Sequence, residues 1–246
     1  MDRRSTHGGR PGTGLKSFLS EALQGLRRRE LLRPGLLLLV HLTLSNIVIL
    51  KNVPAEGEGL GGLFAIAALV RVAGLLLIAV TALRILTDSP RPRWLPDGGF
   101  WLYVLTFAAG AAATGAARVM IGNEVGLANL IAGNAFVTLL LSPFVVWFVA
   151  AAVARPLAWR PVPWLKDLGR WWLPALFWTL LVVTPMAVLH AWIDTRLVEG
   201  VGDRFWPLAL FDGALSTAMA LLGLAINAAA YRRVAQSPAS RLSAGA

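Results

Sequence analysis

Residues 60–86 read LGGLFAIAALVRVAGLLLIAVTALRIL, an almost unbroken apolar run with two charges, Arg71 near its middle and Arg84 near its end. As a helix rising ~1.5 Å per residue this run reaches ~40 Å, enough to cross the ~30 Å hydrocarbon core of a bilayer. A surface helix of a soluble protein would alternate an apolar stripe with a polar face. Here apolar residues fill every face, so the run predicts a transmembrane helix.

Outward from it lie five more runs of this kind, at 35–53, 99–119, 124–153, 171–193 and 206–231. Turn chemistry or charge separates them: Asn52-Val53-Pro54 with Glu56 and Glu58, then Asp88-Ser89-Pro90-Arg91-Pro92-Arg93, then Gly122-Asn123-Glu124, then the charged stretches 154–170 and 194–205. The pattern predicts an all-α, polytopic six-helix membrane bundle over 34–233. Composition agrees: 57% of the 246 residues are hydrophobic and 15% charged, with mean hydropathy +0.65. Soluble domains hold roughly 45–50% apolar and about 25% charged residues.

The absence of cysteine excludes disulfides, thiolate metal sites, iron–sulfur clusters and cysteine nucleophiles. His7, His41 and His190 are too scattered for a histidine-rich metal centre, so neither metal nor cofactor is expected.

A net charge of +10 raises nucleic acid as a partner, but its placement points elsewhere. With the N-terminus inside, eighteen of the 23 Lys and Arg residues fall on the inner side, crowded before residue 34 and spread over both remaining inner loops and the C-terminal tail. The outer side holds Lys51, Arg118, Arg196 and Arg204, and Arg71 stays within a span. By the positive-inside rule both termini are expected in the cytoplasm, in a bacterial-type inner membrane, with anionic headgroups of the inner leaflet as partners rather than nucleic acid. Tryptophans at span boundaries, among them Trp94, Trp101, Trp171, Trp192 and Trp206, suit the headgroup level, and only Trp147 and Trp178 fall deeper.

Residues 1–14, rich in Gly, Arg and Ser, read as a disordered basic tail, and the first 34 residues do not read as a cleavable signal, because the apolar stretch after the arginines is a full span with no small-residue cleavage site after it. In 15–33, Leu15, Phe18, Leu19, Ala22, Leu23 and Leu26 share one face, opposite Lys16, Glu21, Gln24 and Arg27. That spacing predicts an amphipathic helix on the inner leaflet. Arg160–Lys166, flanked by Trp159 and Trp164, reads as a second surface segment, and 234–246 as a flexible tail.

Ionisable groups inside a bilayer cost roughly 2.5–3.5 kcal/mol on insertion scales, so they face the bundle interior or water. Measured along the helices from the outer face, Arg71 lies ~16 Å deep, Asn134 ~15 Å, Asn46 ~10 Å, Asp212 ~9 Å, Asn129 ~8 Å and His190 ~5 Å. These six form the candidate intramembrane polar site, and an Arg71–Asp212 ion pair between the second and last spans is expected. Either the site is a polar cavity in which Arg71 holds an anionic headgroup or solute, or the same residues bind helix to helix. Arg84 is expected to snorkel to the inner surface, His41 to be a hydrogen-bonded packing residue, and the small-residue run Ala108–Ala117 to mark a central, tightly packed helix.

No catalytic constellation is legible. Ser216 and His190 are the nearest nucleophile and base, but no Gly-x-Ser-x-Gly or His-Glu-x-x-His accompanies them, so no catalytic residue is assigned. Pro143 and Pro185, inside the fourth and fifth spans, are candidates to break or kink them.

The layout of Phe18-Leu19-Ser20-Glu21-Ala22-Leu23 through Arg27-Arg28-Arg29 to Pro34-Gly35-Leu36-Leu37, with Leu168-Gly169-Arg170-Trp171-Trp172 before the fifth span and Ala229-Ala230-Tyr231-Arg232-Arg233 at the end, resembles the six-helix family typified by the glycerophosphodiester phosphodiesterase membrane domain and YciC-like proteins. The likeness covers most of the chain and is one of hydropathy and charge. It departs where that family carries a Ser-Trp pair before the fifth helix, since Lys166-Asp167-Leu168-Gly169 stands there. The resemblance implies an accessory, envelope-related membrane module and no catalytic residues. The expectation is therefore a non-catalytic accessory, scaffold or lipid-interacting membrane protein, with a membrane protein as a further partner. The alternative is a small transporter or channel for an anionic or amphipathic solute that uses Arg71.

Overall fold

The computed structural model describes residues 14–54, 61–121, 127–153 and 171–236, which are helical apart from turns and the loop at 87–97. The basic tail, the C-terminal tail and the Arg160–Lys166 segment lie outside the described residues.

We number the helices α1 (Leu15–Leu26), α2 (Leu32–Lys51), α3 (Gly62–Leu86), α4 (Gly98–Ile121), α5 (Leu127–Leu141), α6 (Val145–Val153), α7 (Trp171–Glu199) and α8 (Phe205–Ala235). Five stretches are long and apolar enough to cross a membrane: Arg29–Lys51, Gly62–Leu86, Ile131–Val153, Trp171–Glu199 and Phe205–Ala235. The chain is thus a multi-pass membrane protein by length and composition. The expected third span falls on α4, where the described apolar stretch, Gly98–Ala113, is shorter than the other five.

Two spans are interrupted, each at a proline. The fourth divides into α5 and α6 around a 3₁₀ turn, Ser142–Phe144, because Pro143 has no N–H to continue the ladder. Ser142 donates to the Leu139 carbonyl at 2.9 Å and accepts from Trp172 Nε1 at 2.7 Å, which ties the break to α7. Within α7 a π turn, Thr179–Val183, precedes Pro185 and absorbs the bond that proline cannot make.

The central helix is α8, which touches α1, α2, α3, α6 and α7. Its interior positions are small on several sides: Ala209, Gly213, Ser216, Ala225 and Ala228 to Ala230 are all buried. The alanine-rich helix expected at the centre, α4, instead leaves Ala108, Ala109, Ala111 and Ala112 exposed. Small residues do mark the tightest packing, but it is their distribution around α8, and not the density of the Ala108–Ala117 run, that lets neighbours approach from several directions.

Packing is densest toward the ends of α3 and α8 that carry Arg84 and Arg233. Val80, Leu83 and Leu86 of α3 meet Val146, Val149 and Ala152 of α6, the Ala228–Ala230 run of α8, and Phe18 and Ala22 of α1. At the other end α3 is nearly bare, with Leu63, Ile66, Leu69 and Val70 all more than half exposed. Helix α1 packs on α8, buries Phe18, Ala22 and Gly25, the last of them against Leu86 of α3, and stops at Leu26, ahead of a 3₁₀ turn at Arg29–Leu31. Glu21 accepts from Arg232 at 3.1 Å and Arg233 at 2.7 Å, and the Arg233 guanidinium stacks over Phe18 and Trp171.

Arg84 does not snorkel. It is 1% exposed and donates to the carbonyls of Ala152, Pro92 and Leu95 and to Asp97, because the 88–97 loop folds back over it. Asp97 also accepts from Arg91 at 2.8 Å and from the Phe100 N–H at 2.9 Å, capping α4. Burial pushes the Asp97 carboxyl up, but these donors outweigh it and hold it below the usual carboxylate range. Asp88, whose φ of 53° places it in the left-handed region, is held low by its hydrogen bond from Arg28, at 2.5 Å.

Candidate functional site

Two close helix contacts set up the polar site. A Cβ on Gly213 of α8 would overlap the Thr43 side chain of α2, so the two backbones can approach only because residue 213 is glycine. One turn along α2 from Thr43, this brings Asn46 against Asp212. Gly74 of α3 likewise makes room for the His41 ring, which donates from Nε2 to the Arg71 carbonyl at 3.0 Å. His41 is thus the packing histidine expected of it, and the seam it closes sets Arg71 beside Asn46.

Asn46 is the hub. Its amide nitrogen donates to Asp212 Oδ2 at 2.7 Å and to Asp194 Oδ1 at 3.1 Å, while its carbonyl oxygen accepts from Arg71 Nη1. His190 of α7 places Nδ1 2.6 Å from Asp212 Oδ1 and Nε2 3.5 Å from Asp194 Oδ2. Ser216 Oγ lies 3.3 Å from the same Nδ1. Asp212 is fully buried, whereas the His190 and Asp194 side chains keep 19% and 32% of their surface.

The structure therefore brings together four of the six residues picked out from the sequence: Asn46, Arg71, His190 and Asp212. The side chains of the other two, Asn129 and Asn134 on α5, lie outside the described residues. The direct Arg71–Asp212 ion pair does not form. Asn46 stands between them, because Asp212 turns into the α2–α7–α8 interior while Arg71 sits at the α2–α3 seam. Asp194 and Ser216 join the cluster as well. Asp194 was legible as the residue one helical turn beyond His190, had the fifth span been extended past residue 193.

The geometry is not that of a hydrolytic relay. A Ser–His–Asp triad needs a free ring nitrogen to take the serine proton, and here the Nδ1 that Ser216 approaches at 3.3 Å is already held by Asp212 Oδ1 at 2.6 Å, with Asp194 facing the other ring nitrogen at 3.5 Å. What the cluster does provide is two carboxylates and a cation joined through one amide, with an imidazole wedged between the carboxylates.

The protein is thus of the multi-pass helical membrane class, with a polar cluster shared by four of its helices. Comparison of the chain with protein-family models, curated proteins and solved structures finds no match in any of the three.

Proposed function

We propose that the protein is a non-catalytic, lipid-interacting accessory protein of a bacterial-type inner membrane, with both termini in the cytoplasm and anionic phospholipid held at its inner side. One observation carries this reading. An apolar groove of about 540 Å³ runs between α2 and α8, lined by Leu32, Gly35, Leu36, Leu39, Ala218 and Leu221, and the basic run 27–33 lies at its α1 end. Arg27 and Arg29 are exposed and have no acidic partner among the described residues, unlike Arg28, Arg84 and Arg233. The groove suits an acyl chain and the free arginines suit its phosphate. The resemblance to six-helix accessory membrane modules points the same way.

Thermal unfolding in detergent, with and without added phosphatidylglycerol, tests the reading. At ~1 kcal/mol per basic residue near an anionic surface, Arg27→Glu with Arg29→Glu weakens lipid binding about thirtyfold and removes most of the stabilisation. Gly35→Leu, which fills the groove where a Cβ meets Leu221 at an ordinary 3.6 Å, reduces it too. Equal stabilisation by phosphatidylcholine, or an unchanged response in both variants, contradicts the proposal.

A second reading, an anionic or amphipathic solute carried on Arg71, is favoured by one feature. The half-buried guanidinium spends one N–H on Asn46 and makes no other hydrogen bond among the described residues. In that case Arg71→Lys keeps the fold but loses stabilisation by inorganic phosphate or a short-chain phosphatidate.

A further inference from the structure

We propose that His190 and Asp194 form a divalent transition-metal site of the zinc type, with Asp212 as the residue that orients the imidazole. The claim is independent of the lipid reading above. It rests on what each ring nitrogen of His190 faces. Nδ1 lies 2.6 Å from the fully buried Asp212 carboxylate, the distance of a strong hydrogen bond from an N–H. With the proton on Nδ1, neutral imidazole presents a lone pair at Nε2.

That lone pair looks across 3.5 Å at Asp194 Oδ2. Two acceptors facing one another are repulsive unless a cation lies between them. Two ligands each ~2.1 Å from a tetrahedral metal stand ~3.4 Å apart, and 3.5 Å is also long for a hydrogen bond. The carboxylate–imidazole–metal order is the arrangement in which a buried acid fixes the tautomer of a ligating histidine. His190 and Asp194 are one turn apart on α7, the i, i+4 spacing that puts two ligands on one helical face.

Ligand atoms of all three residues lie within 4.8 Å of one another. Asn46 holds both carboxylates and turns its own oxygen to Arg71, which with neutral His190 leaves a single negative charge for a dication to offset. His190 and Asp194 are partly exposed where Asp212 is buried, so water or a solute would complete the coordination from that side.

Cobalt(II) serves as the probe, added to full-length protein in detergent after chelator treatment, because tetrahedral cobalt absorbs visibly and zinc then displaces it. The expected result is one saturable site per chain whose absorption is bleached by zinc. It is lost in Asp194→Asn, which alters a half-exposed group and leaves the fold intact, and in His190→Gln. Asp212→Asn weakens it ten- to a hundredfold, and His7→Gln leaves it unchanged. Overturning results are no saturable cobalt spectrum near neutral pH, or a spectrum that persists in Asp194→Asn. Either leaves His190 as an imidazolium hydrogen-bonded to both acids, with no metal role.

Discussion

At the scale of single residues, Asn46 matters more than either charge it joins. Removing it takes the Arg71 guanidinium's hydrogen bond and leaves both carboxylates with His190 alone among these bonds, and each bond to a charged group contributes about 1.5–3 kcal/mol. Asn46→Ala is therefore expected to lower the unfolding temperature at least as far as Arg71→Leu. Because Arg71 and Asp212 communicate through Asn46, a double-mutant cycle between them should give a coupling of about 0.5–3 kcal/mol that vanishes when the cycle is repeated on Asn46→Ala. A coupling that survives there would mean that the two charges interact directly. The sequence made Arg71 and Asp212 legible because an ionisable group inside an apolar run stands out. It did not reveal the bridge, since an asparagine in a span carries no sign of which partners its two ends will take. Asp194 was hidden for another reason: the extra length of α7 carries it into the helix, beyond where hydropathy ended the span.

At the scale of elements, glycine decides which helices touch. Gly213→Ala and Gly74→Ala insert a methyl group into Thr43 and His41, and overpacking of this kind costs about 1–3 kcal/mol. Gly223→Ala on α8, where a Cβ meets nothing within 4 Å, is expected to be neutral or stabilising because alanine favours helix, and all three can be compared by thermal unfolding. The 88–97 loop predicts a pH dependence. Asp88 and Asp97 are held below the usual carboxylate range, so the unfolded chain binds protons there before the folded one does. Their stabilisation is complete above about pH 4, the ordinary carboxylate value, and is lost as the pH falls further. Unfolding temperatures measured from pH 7 to 3 should fall at the acid end, and less steeply in Asp97→Asn. Prolines 143 and 185 announced their breaks in advance, because a missing N–H acts locally. That α8 rather than α4 takes the centre was not legible, since small residues say only that a helix can be approached closely, not by how many neighbours.

At the scale of the whole molecule, the densely packed end and the looser, polar end do different work. The first locks α1, α3, α6 and α8 together around Arg84 and Arg233, and the second gathers Asn46, Arg71, His190, Asp194 and Asp212. Hydropathy and charge made the multi-pass character legible and carry the proposed orientation, because span length and arginine placement answer to the bilayer rather than to tertiary detail. The arrangement of helices depends on contacts between residues far apart in sequence, which one chain does not reveal. The central claim, that the basic run beside the α2–α8 groove holds anionic lipid, is tested most directly by native mass spectrometry on protein released gently from its own membrane. The account predicts a defined complement of anionic phospholipid that is retained on the wild type and lost in Arg27→Glu with Arg29→Glu. Protein that emerges free of lipid, or carries the same lipids in that variant, would contradict it.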